Sequence, residues 1–131
     1  MNPPVFTPVE IQKWSHPDVK LNDNCLNYFL AQLKANRKFN GPDFITAVKA
    51  CVMDPTRAKL LEASVGKIDN FWEKELVELL RLTAAQKKSR DIVIENYASY
   101  VSSDKLFVSK NQSLLSKEEQ VKFEANQLKK P

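Results

Sequence analysis

The chain is poor in the residues that most site chemistry needs. Among its 131 residues there is one histidine, His16, with two glycines and two cysteines. A single imidazole and two distant thiols do not offer the paired ligands of a zinc site. Two glycines, Gly41 and Gly66, leave no glycine-rich phosphate loop, whose backbone must approach the phosphates closely. The same scarcity argues against β-hairpins closed by primed turns, which need φ > 0. No apolar run approaches membrane-spanning length. The start, "MNPPVFTPVEI", lacks a basic region followed by an apolar run, so no cleaved signal peptide is expected.

Cys25 and Cys51 each fall inside an apolar helical pattern, as small hydrophobes would. They are expected to be reduced thiols in a cytoplasmic, reducing compartment. Export by a route without a cleaved signal stays open.

What is present suits a globular helical protein. The apolar fraction is 43% and the charged fraction 27%, enough apolar material for a core without metal or disulfide. Net charge is +4, with 20 basic and 16 acidic residues mixed along the chain. Nucleic-acid binders concentrate positive charge on one face, so the mild excess is a weak pointer.

Helix signals recur throughout. Thr7-Pro8-Val9-Glu10 reads as a capping box with proline at the first helical position. Leu26, Phe29, Leu30 and Leu33 share one helical face, after a cap at Asn22 or Asp23. Gly41-Pro42 marks a stop and a start, followed by a stripe of Phe44, Ile45, Val48, Cys51 and Val52. Asp54-Pro55 opens a shorter helix with Ala58, Leu61 and Val65, ending at Gly66.

From Asp69, the residues Phe71, Trp72, Leu76, Leu79, Leu80 and Thr83 make a broad apolar face, which Ile92, Val93, Tyr97, Tyr100 and Val101 resume. The pattern predicts one long helix over 69–101, or two helices bending near Ser89. The β-branched run at 92–94 leaves a strand as the minor alternative. Residues 103–115 read as a loop with a short ordered piece at Leu106-Phe107-Val108. Ser116 to Glu119 is a second capping box, and Val121, Ala125 and Leu128 form a thin stripe after it.

The stretch "EIQKWSHPDV" resembles the J-domain co-chaperones, which carry His-Pro-Asp between two antiparallel helices. The resemblance stops there. Pro8 limits the preceding helix to two turns with one lysine, and too few residues lie upstream for the family's earlier helix. No family residue is carried over, and a turn at Pro17 is the simpler expectation.

Cys25, near a helix amino end, is the better placed nucleophile for a Cys-dependent enzyme with His16, but no recognisable motif surrounds it. Glu73, Glu75 and Glu78 are explained by a helix amino end. Lys87, Lys88 and Arg90 form the tightest basic cluster and would carry a nucleic-acid interface, without aromatic interleaving for base stacking. Adjacent Phe71 and Trp72 point about 100° apart on a helix, so one of them belongs at a boundary. Tyr97 and Tyr100, one turn apart, make an aromatic edge, and Trp14 with His16 an exposed anchor.

The expectation is therefore an all-α, compact single-domain bundle of about six or seven helices with one long central helix. Residues 1–131 form one domain, with a short arm at 1–7. The expected function is a non-enzymatic protein-interaction module, an adaptor, inhibitor or regulatory partner. It would bind another protein through Trp14, His16, Tyr97 and Tyr100, with no metal, no cofactor and no membrane insertion. Partner identity and oligomeric state are not legible. The alternatives are a helical nucleic-acid-binding domain and a Cys-dependent enzyme.

Overall fold

A computed structural model describes residues 5–14, 24–100 and 106–127. It is mostly helical, and the all-α class broadly fits. The elements run α1 (Pro8–Trp14), α2 (Asn24–Lys34), β1 (Phe39–Asn40), α3 (Gly41–Ala50), α4 (Asp54–Ala63) and β2 (Ile68–Asp69). Then follow α5 (Glu73–Leu82), α6 (Lys87–Ile92), α7 (Leu106–Lys110) and α8 (Lys117–Gln127). A π-turn at Val93–Tyr97 and a 3-10 turn at Ala98–Tyr100 extend α6.

One construction is used twice. A helix ends, one residue takes positive φ, and the chain enters a two-residue strand. After α2 that residue is Asn36, at φ 67°; after α4 it is Gly66, at φ 78°. Asparagine and glycine are the residues that enter the left-handed region most readily. Behind Asn36 the Arg37 N–H donates to the Gln32 carbonyl at 3.1 Å, closing the end of α2. The strands then pair in parallel, Phe39 with Ile68 and Asn40 with Asp69. Val5 adds a parallel bridge to Lys38.

This small parallel sheet was not expected. Two-residue strands are too short to show alternation. The sheet also takes in the described end of the expected amino-terminal arm: Phe6 is buried, and its N–H donates to the Lys38 carbonyl at 2.9 Å.

Both capping boxes form. Thr7 N–H donates to Glu10 Oε1 and Glu10 N–H to Thr7 Oγ1, each at 3.2 Å. Ser116 N–H donates to Glu119 Oε1 at 2.9 Å and Glu119 N–H to Ser116 Oγ at 3.1 Å.

The long central helix does not form. Residues 68–69 are strand, Asn70 takes φ 58°, and α5 begins only at Glu73. A second break falls at residues 83–86, before Ser89. Thr83 turns its hydroxyl onto the Leu79 carbonyl at 2.7 Å, and the chain leaves the helix. Side chains of α4 hold the break open. Arg57 Nη1 donates to the Leu82 carbonyl at 2.8 Å and to Gln86 Oε1 at 2.9 Å. Asp54 receives the Lys88 and Ser89 N–H groups at 3.0 and 2.8 Å. One helix thus caps the end of α5 and the start of α6. No helical turn continues through a step whose carbonyls and amides are already taken.

The last helix also turns differently. Val121 is 72% exposed, while Phe123, Asn126 and Gln127 are buried. Phe123 stacks on Phe107 of α7 at 5.1 Å, and its larger apolar area decides which face goes in. Leu128 lies outside the described residues. The helix α7 is the short ordered piece expected at Leu106-Phe107-Val108, extended to Lys110.

Candidate interaction site

All twelve aromatic residues fall among the described residues. Most join one row of contacts through the core. Trp14 stacks on Tyr28 at 4.2 Å, and Tyr28 tilts against Phe6 at 6.4 Å. Phe6 stacks on Phe39 at 4.5 Å, and Phe39 meets Phe44 at 5.4 Å. Phe44 stacks on Tyr97 at 5.9 Å and Tyr97 on Tyr100 at 5.3 Å.

The row places the expected binding residues apart. Tyr97 and Tyr100 are brought together, but Tyr97 is fully buried and donates its hydroxyl to the Leu61 carbonyl at 2.6 Å. Burial pushes its phenol well above the usual value, with the neighbouring Tyr100 adding to the shift. Tyr97 therefore presents no surface, contrary to the aromatic edge expected of it. The half-buried Tyr100 accepts the Gly66 N–H at 2.7 Å. Trp14 sits at the other end of the row, half-buried, with the Lys13 ammonium 5.5 Å from its ring centroid. His16, Pro17 and Asp18 lie outside the described residues.

Beside Trp14 the core carries a charged cluster. Arg37, aimed by the turn at Asn36, donates to Glu10 through both terminal nitrogens, Nη2 at 2.6 Å. Its guanidinium also lies 4.7 Å from the Phe6 ring centroid. Tyr28 donates to the same Glu10 carboxylate at 2.5 Å. The Arg37 bonds hold the Glu10 carboxyl far below its usual range; burial opposes them, and Tyr28 and Thr7 add to the lowering. The cluster ties α1 to the end of α2.

The basic cluster divides. Lys87 and Lys88 are exposed, but Arg90 is buried. Arg90 donates to the carbonyls of Leu80 and Leu114 and pairs with Glu119 at 2.9 Å. It is a fastener between α5, α6 and α8, so a nucleic-acid role for it is not supported by this placement. Lys88 lines an open groove between α4 and α6 that also holds Lys59, Glu62, Asp91 and Glu95. The two signs alternate there, which weakens any field drawing in phosphates.

The second buried cation is Arg57. Its Nε donates to the carbonyls of Val48 and Cys51 at 3.0 and 2.9 Å, in addition to its bonds across the 83–86 break. Burial lowers its pKa from the usual value, and attraction to Cys51 and Asp54 opposes the change. Cys51 in turn faces Cys25, with the sulfurs 3.7 Å apart and both residues buried.

The residue that sequence reasoning undervalued is Trp72. Helical spacing puts it on the apolar face with Phe71, one of the two at a boundary. Phe71 is the buried one, against Tyr97 and Tyr100 at 5.7 and 4.8 Å. Trp72 is 64% exposed, and no other aromatic side chain is exposed. Its position follows from the helix start. Trp72 precedes α5 with extended backbone, and its N–H is taken by Glu75 Oε2 at 3.0 Å. The signal was legible in Asn70, a residue suited to φ > 0, which resets the face before the helix begins.

No group of three or more metal-binding side chains occurs among the described residues. No helix among them is long and apolar enough to cross a membrane. The chain matches no protein-family model, and no curated protein or solved structure is significantly similar to it.

Proposed function

We propose that the chain is a non-enzymatic protein-interaction module, an adaptor, inhibitor or regulatory partner, that engages another protein through Trp72. The observation that carries this is the exposure of Trp72 at 64% while every other aromatic ring is buried or half-buried. A largely exposed indole forgoes burial free energy of about 25 cal/mol per Å² of apolar surface, which a partner pocket would recover. Tryptophan is enriched among the few residues that dominate binding energy. Its surroundings suit the rim of such a contact, with the ion pairs Lys38–Asp69 and Lys110–Glu73 on residues flanking it in the chain. The mechanism is steric: the module covers a partner's surface or holds two partners together. In this reading it works in a reducing, cytoplasm-like compartment.

The test uses the full chain with a photo-crosslinking residue at position 72 and, separately, at the equally exposed Val121. The expected result is one protein crosslinked from position 72 and not from 121. That protein should bind the Trp72→Ala variant at least 10-fold more weakly. Equal crosslinking from both positions, or unchanged affinity in Trp72→Ala, overturns the assignment. A complex with nucleic acid that weakens steeply with salt would favour the alternative carried by Lys87 and Lys88.

A further inference from the structure

We propose that Cys25 and Cys51 are a latent dithiol that the fold holds ready to close into an intramolecular disulfide by exchange with a small-molecule disulfide. The inference is independent of the Trp72 reading. The two sulfurs come from residues far apart in the chain, one in the first turn of α2 and one just past α3, yet they lie 3.7 Å apart. A disulfide is about 2.05 Å long, so the sulfurs need to close by roughly 1.6 Å in total. Neither lies in mid-helix. Cys25 is at a helix start, and Cys51, at φ −83° and ψ 85°, has already left helical geometry.

The pair is also held in place. The Cys51 N–H donates to the Ala47 carbonyl at 3.2 Å, and its carbonyl receives Arg57 Nε at 2.9 Å. Cys25 is walled by the core that contains Phe29, Phe44 and Val48. A fold that fixes two sulfurs at this separation has already met most of the entropy of bringing them together. In the unfolded chain the same thiols meet only by closing a loop of the intervening residues.

The chemistry balances with one named oxidant class, a low-molecular-weight disulfide such as glutathione disulfide. When the segment after α3 opens and exposes the buried sulfur, the Cys51 thiolate attacks one glutathione sulfur and expels a glutathione thiolate. The Cys25 thiolate then attacks the Cys51 sulfur of the mixed disulfide and expels the second glutathione. Two protein thiols are oxidised by two electrons, one glutathione disulfide is reduced to two thiols, and the two cysteine protons end on them.

The test measures that equilibrium twice, in native buffer and in concentrated urea. The full chain is brought to equilibrium across a series of reduced-to-oxidised glutathione ratios, starting from both the reduced and the oxidised protein. It is then acid-quenched, labelled with a thiol-alkylating agent and weighed intact. The proposal expects an unlabelled, glutathione-free species whose equilibrium constant is on the order of 100-fold larger in native buffer than in urea. It also expects the oxidised chain to melt higher than the reduced one, since the two effects are linked. A native constant equal to or below the urea value, or mixed disulfides with glutathione in place of the closed form, overturns it. The comparison needs only the wild-type chain, so a variant that fails to fold cannot blur it.

Discussion

Arg57 Nη1 and the Leu82 carbonyl meet at 2.8 Å, joining the first turn of α4 to the last turn of α5. The same guanidinium donates through Nε to the carbonyls of Val48 and Cys51 at the end of α3. One side chain thus finishes two helices. Arg57→Met should cost about 2–4 kcal/mol, because several buried acceptors lose their donor at once. Arg57→Lys should recover only part of this, since an ammonium cannot reproduce the planar fork. Urea unfolding monitored by circular dichroism checks both. A loss below about 0.5 kcal/mol in Arg57→Met would show that the carbonyls find other partners.

Acid should weaken the link between α1 and α2. The Glu10 carboxyl has an ordinary value of 4.5 and is held well below it in the folded chain, chiefly by Arg37. A depressed folded pKa means that the contribution is present above 4.5 and is lost as pH falls below that value. Asp54 and Glu119 act in the same direction: burial raises each carboxyl, and their hydrogen bonds outweigh it. The melting temperature should fall on acidification, and fall less steeply in Glu10→Gln. Parallel slopes for the two proteins would remove Glu10 from the account.

The two glycines should respond differently to alanine. A Cβ on Gly41 would sit 2.2 Å from the Asn70 carbonyl oxygen, and backbone cannot swing aside as a side chain can. Gly41→Ala should cost more than about 2 kcal/mol. Gly66 meets nothing within 4 Å, but its φ is +78°. Gly66→Ala should cost about 1–2 kcal/mol through strain alone. Thermal melts of the pair check the order, and equal losses would contradict the close approach at Gly41.

Removing the hydroxyls of the paired tyrosines separates a buried bond from an exposed one. Tyr97→Phe leaves the Leu61 carbonyl without its donor in the core and should cost about 1–2 kcal/mol. Tyr100→Phe releases the Gly66 N–H at an exposed turn, where water replaces the phenol, and should cost roughly 0.5 kcal/mol or less. The two denaturation midpoints decide it; a larger loss at Tyr100 would reverse the assignment.

Local rules were legible in the sequence where they act locally. Thr7–Glu10 and Ser116–Glu119 close as capping boxes because both partners lie within one turn. The stripe of Leu26, Phe29 and Leu33 is buried as its spacing requires. The features that escaped are fixed by distant residues. Between Leu82 and Lys87 only Thr83 gives a local hint of a break; Asp54 and Arg57 hold it from another helix. The burial of Tyr97 depends on Phe44 and Leu61, and that of Arg90 on Leu114 and Glu119. Trp72 was placed on a helical face because the period was carried back through Asn70, where the backbone changes hand. The aromatic residues themselves were thus readable, but not which ring reaches the surface.

The pairing of β1 with β2 bears on how the chain is made. Phe39 and Asn40 find their backbone partners in Ile68 and Asp69, two helices later. A nascent chain that has not yet emerged through Asp69 has no strand to lay beside β1, and the bridge from Val5 to Lys38 has only an unsupported edge to join. Vectorial synthesis therefore gives α1 and α2 a waiting period with Phe6 and Phe39 uncovered, the kind of exposed surface on which holding chaperones act.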